Sequence, residues 1–184
     1  MDGVVGMNLI DALLDLSKNS HQPVIAIDGP AGAGKTTLAE NIARGFGARK
    51  SSTIIHMDDL YDGWDNALSS ALLQKLFTIV DLHKSERPIR YQRYDWVQGA
   101  FSESDELPSH NLLILEGVGS GQRGVEEFLS ALIWIDLEPE EGLRRVLNRD
   151  GDHIKVQMQK WLKTQQQHFD NEDTKNRADF ILTT

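Results

Sequence analysis

The segment Gly29–Thr36, which reads Gly-Pro-Ala-Gly-Ala-Gly-Lys-Thr, limits the folds open to this 184-residue chain more than any other feature. The apolar run Val24–Ile27 precedes it, and Leu38, Ile42 and Phe46 follow it at helical spacing. Glycines between a buried strand and a helix N-terminus let consecutive N–H groups point inward at an anion. The complete pattern, with both flanks, predicts a phosphate-binding loop and disfavours a glycine-rich turn that binds nothing.

The residue types of this loop indicate how a triphosphate would be held. Lys35 can reach the terminal phosphates, and the Thr36 hydroxyl can hold Mg²⁺. ATP and Mg²⁺ are therefore the cofactors that we expect. The predicted nucleotide-binding residues are Gly29, Pro30, Ala31, Gly32, Ala33, Gly34, Lys35, Thr36 and Thr37.

Apolar runs and helical patterns alternate along the rest of the chain. Strands separated by helices predict an α/β fold with a parallel sheet covered on both sides. Residues 81–110 are polar, carry Pro88 and Pro108, and are interpreted as a long functional loop. The further predicted strands are 53–57, 112–115, 132–135 and 179–182, and the helices are 7–18, 67–80, 125–129, one beginning at Pro139, and 154–169.

Acidic residues follow two of the predicted strands. Glu116 ends the apolar run 112–115, and Asp58 and Asp59 follow the strand 53–57. Because parallel strands end at the edge where the phosphate loop lies, Glu116 is a candidate Mg²⁺ ligand. One carboxylate of the Asp pair could accept a proton from an attacking hydroxyl. The alternatives are a solvent-facing Glu116 and an Asp-rich capping turn.

Arginines form two further groups. Arg145 and Arg149 share a helix face and suit charge neutralisation during phosphoryl transfer, although an exposed helix face with solvated arginines is the alternative. Asp150-Gly151-Asp152 then ends the helix and allows a hinge, as in a lid. In residues 87–96, Arg87, Arg90 and Arg93 alternate with aromatics that suit a planar or phosphorylated substrate, and an ordinary surface loop explains them almost as well.

Composition excludes several other classes of protein. Nineteen Lys and Arg against 28 Asp and Glu give a net charge of −9, whereas nucleic-acid binding needs a basic surface. The chain has no cysteine, so disulfides and thiolate metal sites are excluded. The N-terminus has no signal-peptide pattern, and no apolar run approaches the ~20 residues that span a bilayer. We therefore expect a cytoplasmic protein with no nucleic-acid or membrane partner.

The histidines suggest no metal cluster, because they are widely spread along the sequence. His56 lies in a predicted strand and is interpreted as a core residue. His83 and His168 are interpreted as surface residues.

In sum, the motifs resemble the uridine kinase-like group of P-loop kinases, which also includes nicotinamide riboside kinase, pantothenate kinase and phosphoribulokinase. The resemblance consists of the Gly29–Thr36 loop, Met57-Asp58-Asp59-Leu60-Tyr61, Ile114-Leu115-Glu116-Gly117, Leu143-x-Arg145-x-x-x-Arg149-Asp150 and Ala178-Asp179-Phe180-Ile181. It implies a three-layer α/β/α P-loop NTPase fold, with a five-stranded parallel sheet, the phosphate loop on the central strand, and a helical lid.

The resemblance also implies roles for individual residues. Asp58 becomes the general base, and Lys35, Arg145 and Arg149 surround the transferred phosphoryl group. Thr36 and Glu116 lie near Mg²⁺, with Asp58 as a further candidate ligand. The candidate substrate residues are Asp58, Tyr61, Arg93, Tyr94 and Glu116.

We expect one domain over residues 1–184 that transfers the γ-phosphoryl group of ATP to a hydroxyl of a nucleoside-like or other small metabolite. Its expected parts are an N-terminal helix (1–20), the phosphate loop (29–37), a substrate-binding region (58–110) and a lid (144–155). Residues 27–35 also look like the start of a cytidylate kinase, so a nucleoside monophosphate kinase is the first alternative. A regulatory ATP-binding switch without an acceptor is the second. A homo-oligomer is left open.

Overall fold

A five-stranded parallel sheet forms the centre of the structure. The computed structural model describes residues 2–47 and 51–184, without the side chains of residues 2–8 and 103. The strands are β1 (Val24–Asp28), β2 (Ser52–His56), β3 (Ile89–Asp95), β4 (Ala100–Leu107), β5 (Leu112–Glu116), β6 (Ala131–Asp136) and β7 (Phe180–Thr183). The central sheet has the order β2-β5-β1-β6-β7, and all of its pairings are parallel. This confirms the predicted sheet, with the phosphate loop following its middle strand.

Helices cover both faces of this sheet, which confirms the predicted three-layer α/β/α architecture. Side chains of α1 and α2 pack on one face, and those of α3, α4 and α5 pack on the other. Within the described ranges, short 3₁₀ turns cover residues Met57–Asp59, Arg123–Phe128 and Asp152–Ile154. The helices are α1 (Asp2–Ser17), α2 (Lys35–Gly47), α3 (Ser70–Lys84), α4 (Pro139–Asp150), α5 (Lys155–Glu172) and α6 (Thr174–Arg177).

Strand β1 shows how the sheet packs against an apolar layer on each of its two faces. All five of its residues are buried, and they alternate between the two apolar layers as the period of a strand requires. Val24 packs with α3 and α5, whereas Ile25 and Ile27 pack with α1 and α2. Full burial of each such side chain stabilises the fold by about 1.5–3 kcal/mol. The end of β1 is therefore a rigid support for the loop that follows.

The interpretation of residues 81–110 as a loop is wrong. Helix α3 continues to Lys84, and β3 and β4 then form an antiparallel hairpin. The register of the hairpin shifts between Gln92 and Tyr94. Buried and exposed residues therefore do not alternate regularly along β3. Much of the hairpin is also exposed, which removes the apolar pattern by which a strand is recognised.

Two other predicted segments differ from the structure in kind or in extent. The segment predicted as a helix at 125–129 is the 3₁₀ turn Arg123–Phe128. The predicted N-terminal helix is α1, whose Leu13 is fully buried, while residue 1 lies outside the described ranges. The predicted lid corresponds to the last half of α4, a bend at Gly151 and the start of α5. Pro139 is the first residue of α4, as predicted.

None of the helices in the described ranges has the length and apolar character needed to cross a bilayer.

His83 is a buried residue of α3, which corrects its interpretation as a surface residue. Its side chain is 1% exposed, and its Nε2 lies 3.1 Å from the carbonyl oxygen of Pro23. Because a carbonyl oxygen only accepts, Nε2 carries the proton. Burial lowers the pKa of His83 to about 4, with the Pro23 bond opposing this shift. Protonation of Nδ1, which has no hydrogen-bond partner among the described residues, is therefore unfavourable.

We predict that His83 makes the fold less stable below neutral pH. Its pKa is about 4 in the folded chain and 6.5 in the unfolded chain. The stability that comes from keeping the buried imidazole neutral is therefore complete above pH 6.5 and is lost as the pH falls towards 4. Linkage gives a loss of about 2 kcal/mol in the free energy of unfolding between pH 7.5 and pH 5. Urea unfolding of the wild type and of His83→Gln at both pH values measures this loss as a difference between the two proteins. Equal pH dependence in both proteins would contradict the assignment.

Candidate active site

The phosphate loop is held between β6 and α4 by two glycines that no other residue could replace. Gly29 and Gly32 have φ angles of +138° and +80°. A Cβ atom on Gly29 would lie 2.4 Å from the carbonyl oxygen of Ile135, and one on Gly32 would lie 2.6 Å from that of Gly142. Both the left-handed backbone and the close contacts therefore require glycine. The loop is curved before α2 begins at Lys35.

Lys35 is buried at the start of α2. Its Nζ donates to the carbonyl oxygens of Gly29 and Pro30, at 2.8 Å each. Burial lowers the pKa of Lys35, and the nearby carboxylates, first that of Asp28 and then those of Glu116 and Asp58, oppose this shift. These carboxylates therefore favour the charged ammonium that binding of a phosphate needs.

Glu116, the last residue of β5, contacts Thr36 of α2 and His56 at the end of β2. Its Oε1 accepts a hydrogen bond from the Thr36 hydroxyl at 3.0 Å and lies 2.5 Å from Nδ1 of His56. This bond raises the pKa of His56. His56 has 41% of its side chain exposed, so its interpretation as a core residue is wrong. The sequence placed it on the strand but did not show that it faces Glu116.

Asp58 lies in the 3₁₀ turn after β2 and contributes to the same cavity as the phosphate loop. Its side chain is open to the cavity but surrounded by protein on its other sides. This desolvation raises the pKa of Asp58; Lys35 opposes the shift, and Glu116 adds to it. Its backbone oxygen accepts a hydrogen bond from Nε1 of Trp96 at 3.1 Å. Asp58 therefore lies between the phosphate loop and an aromatic region.

The cavity has a volume of about 610 Å³ and two chemically different parts. Ala31, Gly32 and residues 34–37 contribute its phosphate-loop part, where Glu116 also lies. Its other part, the aromatic compartment, consists of Tyr61, Trp64, Trp96, Met158 and Trp161. The rings of this compartment touch in sequence, with centroids 5.4 Å apart for Tyr61 and Trp161, 6.1 Å for Trp161 and Trp64, and 5.2 Å for Trp64 and Trp96.

Both predicted arginines of α4 line the cavity. Nε of Arg145 donates to Glu141 at 2.8 Å, and its Nη1 lies 3.5 Å from the carbonyl oxygen of Gly32. Arg149 makes two hydrogen bonds of 2.7 Å with Asp150, which also lines the cavity. Their shared helix face is directed towards the phosphate loop, as the four-residue spacing predicts.

The structure does not bring every predicted site residue into the cavity. Gly29, Pro30 and Ala33 belong to the loop but not to the cavity wall. Arg93 and Tyr94 lie in the hairpin, outside the cavity. Nε of Arg93 is 3.2 Å from Asp59, and the Tyr94 ring packs against Trp96 with centroids 5.0 Å apart.

The predicted substrate residues include none of the three tryptophans that line the cavity, Trp64, Trp96 and Trp161. Trp96 lies in the turn between β3 and β4, and its Nε1 donates to the backbone oxygen of Asp58. Trp161 follows the apolar face of α5, so its spacing is that of any core residue. No sequence signal distinguishes a core tryptophan from one that also lines a cavity.

Comparison with known proteins places the chain in a family. The sequence profile of AAA_18, described as an AAA domain, matches residues 25–175. The chain belongs to the AAA_18 family. No curated protein matches it in sequence.

Solved structures resemble this AAA_18 protein over almost its whole length. A possible uridine kinase from Bacillus stearothermophilus is 18% identical with a TM-score of 0.68, and the match covers 96% of this chain and 98% of the other. A candidate fructose transport system kinase from Silicibacter sp. TM1040 is 14% identical with a TM-score of 0.74, at the same coverage. At these identities the likeness shows the fold, which is that of P-loop kinases. The predicted resemblance to uridine kinase-like P-loop kinases is confirmed at that level.

We predict that Gly32→Ala weakens both the fold and the binding of ATP. A non-glycine residue at φ +80° costs at least about 1–2 kcal/mol, and the Cβ would also push the loop away from α4. Thermal denaturation and titration of Mg²⁺-ATP would measure the two losses.

Gly47→Ala is the matched control. Gly47 ends α2, and a Cβ there meets no described atom within 4 Å. Since alanine is favoured over glycine in a helix by about 0.5–1 kcal/mol, this variant should be as stable as the wild type or slightly more so. Equal ATP affinity in Gly32→Ala and Gly47→Ala would contradict the role given to Gly32.

Proposed function

We propose that this AAA_18 protein is an ATP-dependent kinase that transfers the γ-phosphoryl group to a hydroxyl of a small, nucleoside-like metabolite. The observation that carries the proposal is the position of Asp58. Its carboxylate faces the cavity that contains Lys35 and Thr36, and its backbone binds Trp96 of the aromatic compartment. A proton acceptor between a phosphate cradle and an acceptor compartment is the arrangement that hydroxyl phosphorylation needs.

The residues near the phosphate loop fit Mg²⁺. Thr36 and Glu116 are already within hydrogen-bond distance of each other, and Asp58 lines the same cavity. Hydroxyl and carboxylate oxygens are the donors that this ion prefers. Bound there with ATP, Mg²⁺ would reduce the negative charge on the phosphate oxygens. His56 would hold the Glu116 carboxylate in place through its bond to Oε1.

Positive side chains are placed to bind the phosphoryl group during its transfer. Lys35 at the loop and Arg145 and Arg149 on α4 surround one part of the cavity. Their charges favour the developing negative charge of phosphoryl transfer. The raised pKa of Asp58 makes its carboxylate a stronger base towards an attacking hydroxyl than an ordinary aspartate.

The acceptor compartment favours a planar or apolar body that carries a hydroxyl. Its wall consists mainly of indole and phenol rings, and such rings stack well on planar groups. The names of the similar structures, a possible uridine kinase and a candidate fructose transport system kinase, are compatible with a small hydroxyl compound. Between these two, the aromatic wall favours the nucleoside-like acceptor.

A nucleoside monophosphate acceptor is less favoured, because the arginines that it would need do not line the cavity. Arg87 pairs with Asp81 at 2.9 Å, and Arg90 pairs with Glu106 at 2.6 Å. Arg93 bonds Asp59 outside the cavity. We infer that these arginines stabilise the surface of the hairpin region and bind no acceptor phosphate.

We predict that Asp58→Asn lowers kcat for acceptor phosphorylation by roughly 10²–10⁴-fold, the usual contribution of a general base. Binding of ATP should persist, because the phosphate loop is unchanged. The measurement is coupled ADP release over a panel of nucleosides, nucleoside monophosphates, vitamins and sugars, together with ATP titration. ADP release that needs an acceptor would also separate a kinase from a regulatory switch.

Asp59→Asn is the control for this variant, because it makes the same chemical change one residue away. Asp59 pairs with Arg93 on the surface, so only a small loss of stability is expected. Unchanged turnover in Asp58→Asn, or equal losses in both variants, would remove Asp58 from the mechanism.

We also predict that Arg93→Ala leaves the acceptor KM unchanged. Its guanidinium group bonds Asp59 outside the cavity, so its removal affects no proposed acceptor contact. Steady-state kinetics with the acceptor found in the screen measure this. A marked rise in the acceptor KM would instead support the nucleoside monophosphate kinase.

A further inference from the structure

A fully buried carboxylate lies directly before the phosphate loop. Asp28 ends β1 and has no exposed surface. Its Oδ1 accepts the N–H of Gly29 at 2.8 Å. Both of its oxygens lie 3.1 Å from the N of Gly119, and Oδ2 also accepts the N–H of Gly121 at 2.9 Å. One carboxylate thus binds backbone groups of two loops that are far apart in the sequence.

The second of these loops is residues 117–122, here called the glycine loop, which follows β5. Gly117 and Gly119 have φ angles of +131° and +82°. The hydroxyl of Ser120 donates to the carbonyl oxygen of Ile27 at 2.9 Å. The glycine loop is therefore folded against the end of β1, beside the start of the phosphate loop.

The glycine loop also supports the aromatic compartment. The carbonyl oxygen of Val118 accepts a hydrogen bond of 2.8 Å from the hydroxyl of Tyr61, and both residues line the cavity. Tyr61 is buried and packs against Trp161. Because Tyr61 is three residues after Asp58, its position affects the wall next to the proposed base.

We propose that Asp28 is a positioning residue that holds the phosphate loop and the glycine loop in one fixed arrangement. It thereby sets the separation between the triphosphate donor and the wall that receives the acceptor. The part about the acceptor rests on the proposed kinase function, whereas the coupling of the two loops does not. A carboxylate suits this role because its two oxygens can accept all three N–H groups.

A buried ion pair with His168 is the alternative role for Asp28. The sequence predicts His168 on the surface, but its Nε2 is buried and has no hydrogen-bond partner among the described residues. Burial raises the pKa of Asp28; the hydrogen bonds from Gly121 and Gly29 oppose this shift most, followed by the charges of Lys35 and His168. The backbone N–H groups, rather than either cation, make the hydrogen bonds to Asp28, so the geometry favours the positioning role.

The test is Asp28→Asn, studied without any acceptor. The single oxygen of an amide cannot replace both carboxylate oxygens, and its NH₂ group would face a backbone N–H, so one side chain no longer joins the two loops and both lose their fixed arrangement. We expect hydrogen exchange to rise roughly tenfold or more in peptides covering both 29–34 and 117–122, with exchange in β5 and β6 unchanged. We also expect Mg²⁺-ATP to bind roughly tenfold more weakly by calorimetry, as loss of a charge-assisted hydrogen bond predicts.

Asp179→Asn is the matched control, because Asp179 also accepts a backbone N–H, that of Leu132, at 2.7 Å. It should leave exchange in both loops and ATP affinity unchanged. A response of residues 29–34 alone, or the same response in both variants, would overturn the proposal. These measurements need no acceptor, so a screen that finds none counts against the proposed function and not against the coupling.

Tyr61→Phe tests the coupling at the glycine loop, and this test does not depend on whether the Asp28→Asn variant folds. It removes the hydroxyl that bonds Val118 but leaves Asp28 in place. We expect the glycine loop to keep its protection from exchange, and Mg²⁺-ATP to bind as in the wild type. Loss of protection over 117–122 would show that Tyr61 holds this loop, and would overturn the proposal. With an acceptor in hand, its KM should rise in Tyr61→Phe while the KM for ATP stays unchanged.

Discussion

The parallel register of three neighbouring strands is the constraint on which the site depends. β1 pairs with β5 so that Ile27 lies beside Glu116, and β2 pairs with β5 so that His56 lies beside the same residue. Because parallel strands end at a common edge, the loops after all three strands emerge together. A slip of one residue in the pairing of β5 would turn Glu116 to the opposite face of the sheet and separate it from Thr36.

Charges of both signs meet at this edge, and their balance determines the chemistry. The ammonium of Lys35 is buried, which disfavours its charge, while Asp28, Glu116 and Asp58 favour it. The protein around Asp58 desolvates its carboxylate and raises its pKa, which makes it a better proton acceptor, and Lys35 opposes this shift without cancelling it. A buried carboxylate or ammonium is tolerated only when such partners compensate for lost hydration. The same compensation keeps the buried ammonium of Lys35 and the proposed base within one cavity.

Much of this arrangement could be predicted from the sequence, because its determinants are local. The phosphate loop has a specific pattern, and the strands around it are short apolar runs. The hairpin could not be predicted in this way, since its register shift breaks the alternation of polar and apolar residues.

Other features depend on contacts between distant parts of the chain. Asp28 accepts hydrogen bonds from Gly119 and Gly121, which follow it by 91 and 93 residues. His56 reaches Glu116 only because both lie at the same level of adjacent strands. Such side-chain directions follow from strand register and cannot be obtained from residue spacing alone. The roles assigned to the site residues stay predictions until they are tested by substitution.

The close approach of Gly142 to the phosphate loop has a mechanical consequence. A Cβ on Gly142 would lie 2.5 Å from the carbonyl oxygen of Ala31, so the first turns of α4 and the loop touch backbone to backbone. Moving α4 as a rigid body away from the phosphate loop would break this contact and lose the dispersion attraction between the two backbones. Arg145, about one turn further along α4, is therefore held at a fixed position relative to the phosphate loop. Arg149 lies one turn later on the same helix, so a backbone rotation at Gly151 would move the start of α5 without disturbing either arginine.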